Sequence, residues 1–472
     1  MKSDKFLVDQ LSPIALFYQL TSLFPGEKAF LFESGIQNDD GNFSFIFIGE
    51  REGIEFKGGI LTYRNGVQEL EIEEEPFQFL QNYYSKVDSS IYRELKQELG
   101  VGFIDGFVGY VGFDIVPYFE PILKPVFSQL EDRTSIPDLH LIRPKLVGVY
   151  SHRDSTFTLL LHSPDFYPYL SEIKELLSTP YTPHPLRRAY LEGEGEFQFS
   201  KGEFCQLVEK GKEHIRRGDV FQLVLSNRLT IPGKVDKFTF YRLLRSKNPS
   251  PYLYHMDFGE FAIVGSSPEI MVKLDEGEIL LRPIAGTRKR GKNLQRDLEL
   301  ERELRGDIKE QAEHLMLVDL GRNDVGRVAK KGSVRVTDFM RVERYSHVMH
   351  LVSDVVGELR EDLTQFDLFK ATFPAGTVTG APKIKAMELI ARYEKVKRSF
   401  YSGAVGYFGF DGNMDTAIAI RTALWKPDSL IFQAGAGIVA DSIPELEFKE
   451  INNKLGALRA TLQTLTSPKL PG

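Results

Sequence analysis

The chain has 472 residues, 42% of them hydrophobic and 26% charged, which is typical of a globular protein with a substantial core. Its formal net charge of −7, with no basic run to offset it, argues against nucleic acid as the main partner. The single cysteine, Cys205, excludes an internal disulfide and a cysteine-based metal site. Because no signal-like start or membrane-length apolar stretch is present, we predict a cytoplasmic protein without a membrane partner.

Composition divides the chain into two long regions. Residues 1–177 predict mixed strands and helices without an obvious catalytic cluster. Segment 178–196, rich in proline and then in glutamate and glycine, predicts a linker. Residues 197–465 are denser in motifs and are predicted as the second region. A chain of this length can also form one intertwined sheet, so the number of domains stays open.

Three polar residues of the second region have ordinary interpretations when each is taken alone. Gln222 lies in a strand predicted after a Gly-Asp turn, where a routine hydrogen bond suffices. Glu269 follows a proline, as many turn residues do. His350 lies in an apolar run, where a histidine is more often a satisfied core residue than a catalyst. None of the three residues, taken alone, indicates a functional site.

Two loops and one arginine favour an anionic ligand. Segment 282–288 combines a hydroxyl, glycine backbone and flanking arginines. Segment 373–383 places two threonines, two glycines and a lysine before a helix predicted to begin near Pro382, and helix N-termini attract anions. Arg421 lies within an apolar strand predicted over 417–423, so it needs a carboxylate partner from the protein or from a substrate.

A strand followed by a helix is predicted near the C-terminus. Gly435 and Gly437 follow an apolar run, which predicts a buried strand that runs into a bend where backbone approaches a ligand; a glycine bulge is the ordinary alternative. Ser442 and Glu445 form a capping-box pattern with a proline near the first helical position. This pattern predicts that a helix begins here.

The apolar stripe of that helix includes a carboxylate. The stripe comprises Ile451, Leu455, Leu458 and Leu462. Glu447 lies four residues before Ile451 on the same side, so its carboxylate points inward and needs a partner or a cation. Glu450 lies three residues further on, and Lys454 one turn later.

The same E-x-x-E spacing occurs at Glu310 and Glu313. An apolar face made of Leu304, Ile308, Ala312 and Leu315 is predicted opposite both glutamates, which alone would suggest a solvated pair. The run 315–318 is nevertheless apolar on all sides, so the helix enters a buried region beside Glu313. Two such carboxylate pairs could share one divalent cation, and all-oxygen ligands favour Mg²⁺ over zinc.

Nine motifs in this order resemble the chorismate-utilising enzymes, and within them most closely the anthranilate synthase component I family. They are GDVFQLVLS at 218–226, SSPE at 266–269, PIAGTR at 283–288, EHLMLVDLGRND at 313–324, YSHVMHLVS at 345–353, FPAGTVTGAPK at 373–383, GYFGF at 406–410, AIRTA at 419–423 and QAGAGIVADSIPELEFKEINNK at 433–454. The resemblance covers the chain from residue 31 onward. It implies an α+β fold, a large two-lobed mixed β-sandwich flanked by helices, and lyase activity.

The resemblance implies roles for the residues above. Glu269 would be the general acid, with Thr377 near the substrate ring and His350 assisting loss of pyruvate. Glu313 and Glu450 would bind Mg²⁺ directly, and Glu310 and Glu447 partly through water. The substrate-binding positions implied are Gln222, Ala285, Gly286, Thr287, Tyr407, Arg421, Gly435, Ala436, Gly437 and Lys454.

Two positions distinguish members of the family. Enzymes resembling 4-amino-4-deoxychorismate synthase carry a nucleophilic lysine where this chain has Ala285, and isochorismate synthases carry a water-activating lysine at Gln222. Both lysines are absent, which implies ammonia as nucleophile and anthranilate as product. Component I of 4-amino-4-deoxychorismate synthase is the alternative. An inactive chorismate or tryptophan sensor should have lost a carboxylate of the cluster, and a purely structural role would leave nine ordered motifs unexplained.

Partners and regulation are also implied. Cys205 lies on a predicted helix without a glycine-rich elbow, so ammonia would come from a glutamine amidotransferase subunit, component II, in a heterotetramer. Tryptophan would inhibit from a separate site formed by Glu33, Ser34, Asn248, Pro249, Ser250, Pro251 and Tyr252. Phe32 and Leu253 depart from the family pattern there, but both changes are apolar, so altered affinity is expected.

Overall fold

The computed structural model describes residues 1–35, 42–344 and 348–467; the start of the 345–353 motif lies outside these ranges. The strands are β1 Lys2–Leu7, β2 Ala29–Glu33, β3 Phe43–Lys57, β4 Ile60–Asn65, β5 Gln68–Ile72, β6 Gly106–Val111, β7 Leu139–Ser151, β8 Thr156–Leu161, β9 Tyr190–Leu191, β10 Glu196–Phe197, β11 Gln222–Lys234, β12 Tyr252–Asp257, β13 Ala262–Ser267, β14 Ile270–Asp275, β15 Glu278–Leu281, β16 Ile284–Lys289, β17 Arg335–Arg344, β18 Val348–Glu358, β19 Gly380–Ala381, β20 Ala404–Gly409, β21 Met414–Ile418, β22 Thr422–Lys426 and β23 Ser429–Ile438.

The helices lie between and outside these strands. They are α1 Pro13–Leu23, α2 Pro76–Tyr84, α3 Ser89–Leu99, α4 Lys124–Phe127, α5 Leu170–Ser178, α6 Lys201–Arg216, α7 Lys237–Lys247, α8 Leu294–Gly306, α9 Ile308–Gly326, α10 Gln365–Thr372, α11 Lys383–Glu394, α12 Pro444–Lys454 and α13 Gly456–Thr466. Among the described residues, no helix combines the length and hydrophobicity needed to cross a bilayer.

Two antiparallel sheets diverge from one pair of long strands. One runs β1–β8–β7–β3–β2–β12–β13–β22–β23–β11. The other runs β7–β6–β20–β21–β14–β15–β18, and β18 also pairs with β16 and β17. The register of β3 on β7 shifts between Glu50 and Glu52, as at a β-bulge, and the two sheets separate there. The predicted two-lobed α+β sandwich is confirmed.

Both lobes contain strands from each predicted region of the sequence. β2 pairs with β12 and β6 with β20, so each sheet crosses segment 178–196 in sequence. Within that segment β9 pairs with the far end of β11. The boundary at 178–196 therefore stays a prediction about chain organisation, because the two regions share their sheets.

The glutamate helix differs from its prediction. α8 ends at Gly306 and the Asp307 carboxylate caps a new helix, α9, by accepting from the backbone N–H groups of Lys309 and Glu310. The single apolar face over Leu304, Ile308, Ala312 and Leu315 is therefore wrong: Leu304 is buried at the end of α8, Ile308 is 81% exposed, Ala312 is exposed and Leu315 is 46% exposed. His314, Leu317 and Val318 face the interior instead, which brings Glu310 and Glu313 to a partly buried side.

The second carboxylate helix begins where predicted but is capped differently. α12 starts at Pro444, and its N-cap, Ile443, offers no side-chain cap. Ser442 instead accepts a hydrogen bond from the Val439 N–H at 3.0 Å, so the predicted capping box is wrong. Leu455 separates α12 from α13, and the predicted stripe of four apolar residues is confirmed as buried.

Candidate active site

A buried carboxyl group lies just beyond the end of β13. Glu269 is 8% exposed; its backbone N–H donates to the Ser267 hydroxyl, and its carbonyl accepts from the Ile418 N–H at 3.0 Å. Burial raises the pKa of Glu269 to about 7, and Thr377 and Lys454 only partly oppose this rise. A large fraction of this group therefore stays protonated near neutral pH, as a general acid requires.

Thr377 lies next to this carboxyl group. Its hydroxyl oxygen is buried and makes no hydrogen bond of ordinary geometry within the described ranges, although it lies close enough to Glu269 to lower that pKa. The two side chains line one cavity of about 40 Å³. The acid lies just after β13 and the threonine on a 3₁₀ turn, so two separate segments bring these side chains together.

The carboxylates of α9 and α12 face a common space. Burial, and next the neighbouring Glu310, raise the pKa of Glu313, whose carboxylate accepts from the Gln222 amide at 3.0 Å. The pKa of Glu447 is likewise raised, by burial first and also by Glu450. Lys309 and Lys454 act electrostatically on both glutamates, so the two pairs lie near each other. We call the region between α9, α12 and residues 435–437 of β23 the cleft.

Cations of the protein already contact two of the four carboxylates. Arg288 donates to Glu310 at 3.0 Å, and Lys454 lies 3.4 Å from the exposed Glu450. Among the described residues no three acidic, histidine or cysteine side chains converge as a metal centre. The donor set still fits Mg²⁺, because it is all oxygen and two of its members are destabilised as free carboxylates by burial and by their neighbours.

Arg421 lies between two strands and not within one. β21 ends at Ile418, β22 begins at Thr422, and Arg421 has a φ of 52°, so the strand predicted over 417–423 is wrong. A left-handed conformation is costly for a long side chain and marks a position fixed by its surroundings. Burial lowers the pKa of Arg421, whereas Glu450 and Tyr401 oppose this shift. Within the described ranges its guanidinium makes no ion pair with a carboxylate, which favours an anionic substrate as its partner.

The two glycines of β23 lie directly against polar side-chain groups that a Cβ atom would displace. A Cβ atom at Gly435 would lie 2.7 Å from the Tyr401 hydroxyl, and one at Gly437 would lie 2.7 Å from the Gln222 amide nitrogen. Both glycines continue the pairing of β23 with β11, so the predicted bend is wrong, and the close approach of this backbone to a ligand stays a prediction. Ala436 between them is fully buried, and Lys454 donates to the Gly435 carbonyl at 2.8 Å.

Tyr407 does not join this group. It lines a different cavity, of about 480 Å³, and its ring contacts Phe45 and Phe103. Tyr401, which the motif analysis missed, has its hydroxyl beside Gly435 and interacts with Arg421; burial raises its pKa to about 12. The grouping of Tyr407 with Arg421 is therefore wrong, since β20 directs Tyr407 to the opposite cavity.

The PIAGT segment is a strand and not a loop. β16 pairs with β18, with a register shift between Ala285 and Thr287. The flanking arginines are bound by carboxylates, Arg282 by Asp354 and Arg288 by Asp307 and Glu310. The prediction that these arginines form part of an anion-binding loop is therefore wrong.

The bulge of β16 holds His350 on β18. The His350 Nδ1 lies 3.0 Å from both the Gly286 carbonyl and the Thr287 hydroxyl. A carbonyl only accepts, so Nδ1 carries the proton and Nε2 is the acceptor nitrogen. Burial lowers the pKa of His350, which keeps the ring neutral near pH 7.

Comparisons with known proteins identify the family of this chain. The chorismate binding enzyme family model matches residues 27–460. The chain belongs to this family. Anthranilate synthase component 1 of Aquifex aeolicus (strain VF5) is 41% identical, with 97% of this chain and 94% of the relative covered. The relative of the same name from Thermus thermophilus is 40% identical over 96% of each.

Solved structures confirm the fold of this chorismate binding enzyme. Anthranilate synthase component I from Streptococcus pneumoniae TIGR4 is 36% identical with a TM-score of 0.76, covering 90% of this chain and 94% of that chain. The menaquinone-specific isochorismate synthase from Escherichia coli, 20% identical with a TM-score of 0.72 and covering 98% of this chain and 94% of that chain, supports the fold alone. The predicted resemblance is confirmed, and the chain is a lyase of the anthranilate synthase type.

The segments predicted to bind tryptophan lie side by side in this enzyme. β2 pairs with β12, and the Gly35 N–H donates to the Ser250 carbonyl at 2.9 Å. The 480 Å³ cavity is lined by Phe32, Glu33, Ser34, Pro251 and Tyr252 among others.

Glu33 and Asn248 do not offer the cavity the groups that the sequence predicted. Glu33 is buried, and its carboxylate accepts from the Tyr241 hydroxyl at 2.5 Å and from Arg245 at 2.9 Å, so it supports the cavity wall more than it offers a free carboxylate. Asn248 donates to the Ser266 hydroxyl at 3.2 Å, and Asn248, Pro249 and Ser250 are not among the residues that line the cavity.

Proposed function

We propose that the chain converts chorismate and ammonia to anthranilate and pyruvate, the first committed step of tryptophan biosynthesis, in the cytoplasm. The observation that carries this proposal is the polarity of the cleft. Arg421, without an ion-paired carboxylate among the described residues, lies near the Tyr401 hydroxyl and the Gly435 backbone, and Glu450 of the two carboxylate pairs acts on it electrostatically. Chorismate has two carboxylates, so one end can meet donors and the other a cation.

Mg²⁺ would be held by the glutamates of α9 and α12, Glu310, Glu313, Glu447 and Glu450, and would neutralise the ring carboxylate when bound. Arg421, Tyr401 and the backbone near Gly435 and Gly437 would bind the enolpyruvyl carboxylate. The contacts support this assignment, because the Gln222 amide lies beside Gly437 and donates to Glu313, which brings the glycine backbone and the carboxylates together.

Glu269 supplies the proton for the first chemical step. Ammonia adds to the ring as the ring hydroxyl departs, and the departing oxygen leaves as water once it is protonated. The pKa of Glu269, raised by burial, keeps this proton available, and Thr377 lies beside it. His350, neutral and oriented by the Gly286 carbonyl, assists the second step, in which pyruvate leaves and the ring becomes aromatic.

Specificity for ammonia follows from two side chains. The Ala285 methyl cannot attack the ring, and Gln222, which donates to Glu313, cannot take a proton from water. These positions argue against 4-amino-4-deoxychorismate or isochorismate as the main product.

The ammonia comes from a partner subunit in this proposal. Burial, and next Glu445, raise the pKa of Cys205, so its thiol is protonated near neutral pH and is a poor nucleophile for glutamine hydrolysis. A glutamine amidotransferase subunit, component II, would supply ammonia within a heterotetramer. The component 1 names of the relatives support this arrangement.

Product analysis tests the proposed function. The purified chain is incubated with chorismate, Mg²⁺ and an ammonium salt, and the products are separated by chromatography. We expect anthranilate as the main product, and none when glutamine replaces ammonium. Isochorismate or 4-amino-4-deoxychorismate as the main product, or glutamine-dependent turnover by the chain alone, would contradict the proposal.

We also propose that tryptophan inhibits the enzyme from the 480 Å³ cavity. Replacing Ser34 with arginine places a long charged side chain in its lining, so we expect inhibition to be lost while the ammonia-dependent rate remains within about twofold of wild type. Tryptophan titrations of the rate measure this. Ser22→Arg, on the exposed side of α1, is the control and should keep normal inhibition. Unchanged inhibition in Ser34→Arg would place the inhibitor elsewhere.

A further inference from the structure

The guanidinium of Arg398 lies at a junction behind the cleft. The side chain is 1% exposed, and Glu394 binds it through two hydrogen bonds of 2.8 and 2.7 Å. Its remaining N–H groups donate to the Val378 carbonyl at 2.7 Å, the Val224 carbonyl at 2.9 Å and the Ser402 hydroxyl at 3.3 Å. One buried cation thus joins three separate segments of the chain.

Each of those three partners lies one or two residues along the chain from a residue of the cleft. Val378 follows Thr377, which faces the acid Glu269. Val224 lies two residues after Gln222 on β11. Ser402 follows Tyr401, whose ring centre is 5.5 Å from the guanidinium carbon. The acid end and the carboxylate-binding end of the cleft are therefore connected through one side chain.

Stability alone is a weak explanation for this arrangement. A buried ion pair carries a large desolvation cost, and apolar side chains of the same volume often stabilise a core as well or better. Five directed hydrogen bonds from a planar guanidinium, in contrast, fix the relative positions of their acceptors. Glu394 also accepts from the Ser226 N–H at 2.8 Å and its hydroxyl at 2.9 Å, which anchors the pair to β11.

We propose that Arg398, held by Glu394, is a positioning residue that aligns the Thr377 turn, the Gln222 end of β11 and Tyr401 for the reaction. The inference rests on the proposed function for the choice of reaction to be measured. A misplacement of about 1 Å in such groups lowers rates by about 100-fold, so the position of these segments matters directly.

The test compares two arginines that each bind one aspartate or glutamate through two hydrogen bonds. Arg398→Lys keeps the positive charge and removes the planar guanidinium that makes paired hydrogen bonds. Arg143→Lys makes the same change in a network with Asp105 and Glu52, away from the cleft. Melting temperature, kcat and KM for chorismate are measured on the purified chain. We expect a lower Tm in both variants, but a loss of kcat/KM of about 100-fold, with a raised KM, only in Arg398→Lys.

Two results would overturn the inference: wild-type kcat and KM in Arg398→Lys, or equal losses of activity in both variants. If Arg398→Lys does not fold, Ser402→Ala removes a single contact of the junction. We then expect a raised KM with kcat retained, and unchanged constants would overturn the proposal. Failure of the proposed function is distinguishable, because the wild-type chain itself would then form no anthranilate.

Discussion

Replacing Glu313 with glutamine is expected to lower the rate of anthranilate formation by on the order of 1000-fold and to abolish measurable Mg²⁺ binding. The carboxylate is half-buried and destabilised by burial and by Glu310, and a cation relieves both penalties. Removing the charge removes that gain. Steady-state rates at saturating Mg²⁺ give the first quantity, and calorimetric titration of the protein with Mg²⁺ gives the second.

The partner helix supplies a matched pair of variants. Glu450→Gln on α12 should resemble Glu313→Gln, whereas Glu445→Gln, an exposed glutamate in the first turn of the same helix, should behave as wild type. Full activity of the wild-type chain after exhaustive chelation would contradict a metal-dependent reaction. Normal Mg²⁺ binding in Glu313→Gln would show that this carboxylate is not a ligand.

The second large effect is expected for Glu269→Gln, which should lower kcat by about 1000-fold with chorismate binding largely retained. The amide keeps the shape of the side chain and cannot release a proton to the departing hydroxyl. Single-turnover rates and chorismate affinity separate the two quantities. Glu276→Gln, in the exposed turn between β14 and β15, is the control. Substantial kcat in Glu269→Gln would exclude Glu269 as the acid.

The pH profile provides an independent check on the same residue. Because burial raises the pKa of Glu269 in the free enzyme from 4.5 to about 7, the required acid form is lost as pH rises through about 7, and kcat/KM should fall there. The folded state also binds more protons than the unfolded state between those values. The contribution of Glu269 to the free energy of unfolding therefore declines as pH rises through that window.

Much of the site could be predicted because a charged side chain within an apolar segment costs free energy unless it has a partner. Glu447 on an apolar stripe and Arg421 in an apolar run both required a partner, and in the structure both interact electrostatically with Glu450. The E-x-x-E spacing was also visible in the sequence. What periodicity could not give is the break at Asp307, since a capping aspartate within a charged run resembles any other surface residue.

Other differences arise from long-range pairing. Tyr401 and Tyr407 stand six residues apart. Tyr407 lies on β20, whose pairing with β6 and β21 directs it to the 480 Å³ cavity, whereas Tyr401 precedes β20 and lies beside Gly435. The carboxylate of Glu33 similarly depends on Tyr241 and Arg245, more than 200 residues away. No local pattern encodes such contacts.

The most direct measurement of the central claim is mass spectrometry of the product formed from chorismate, Mg²⁺ and ¹⁵N-labelled ammonium. The geometry of the cleft predicts anthranilate carrying a single ¹⁵N atom, with an equal amount of pyruvate released. A main product that retains the enolpyruvyl group, or one that contains no ¹⁵N, would contradict it.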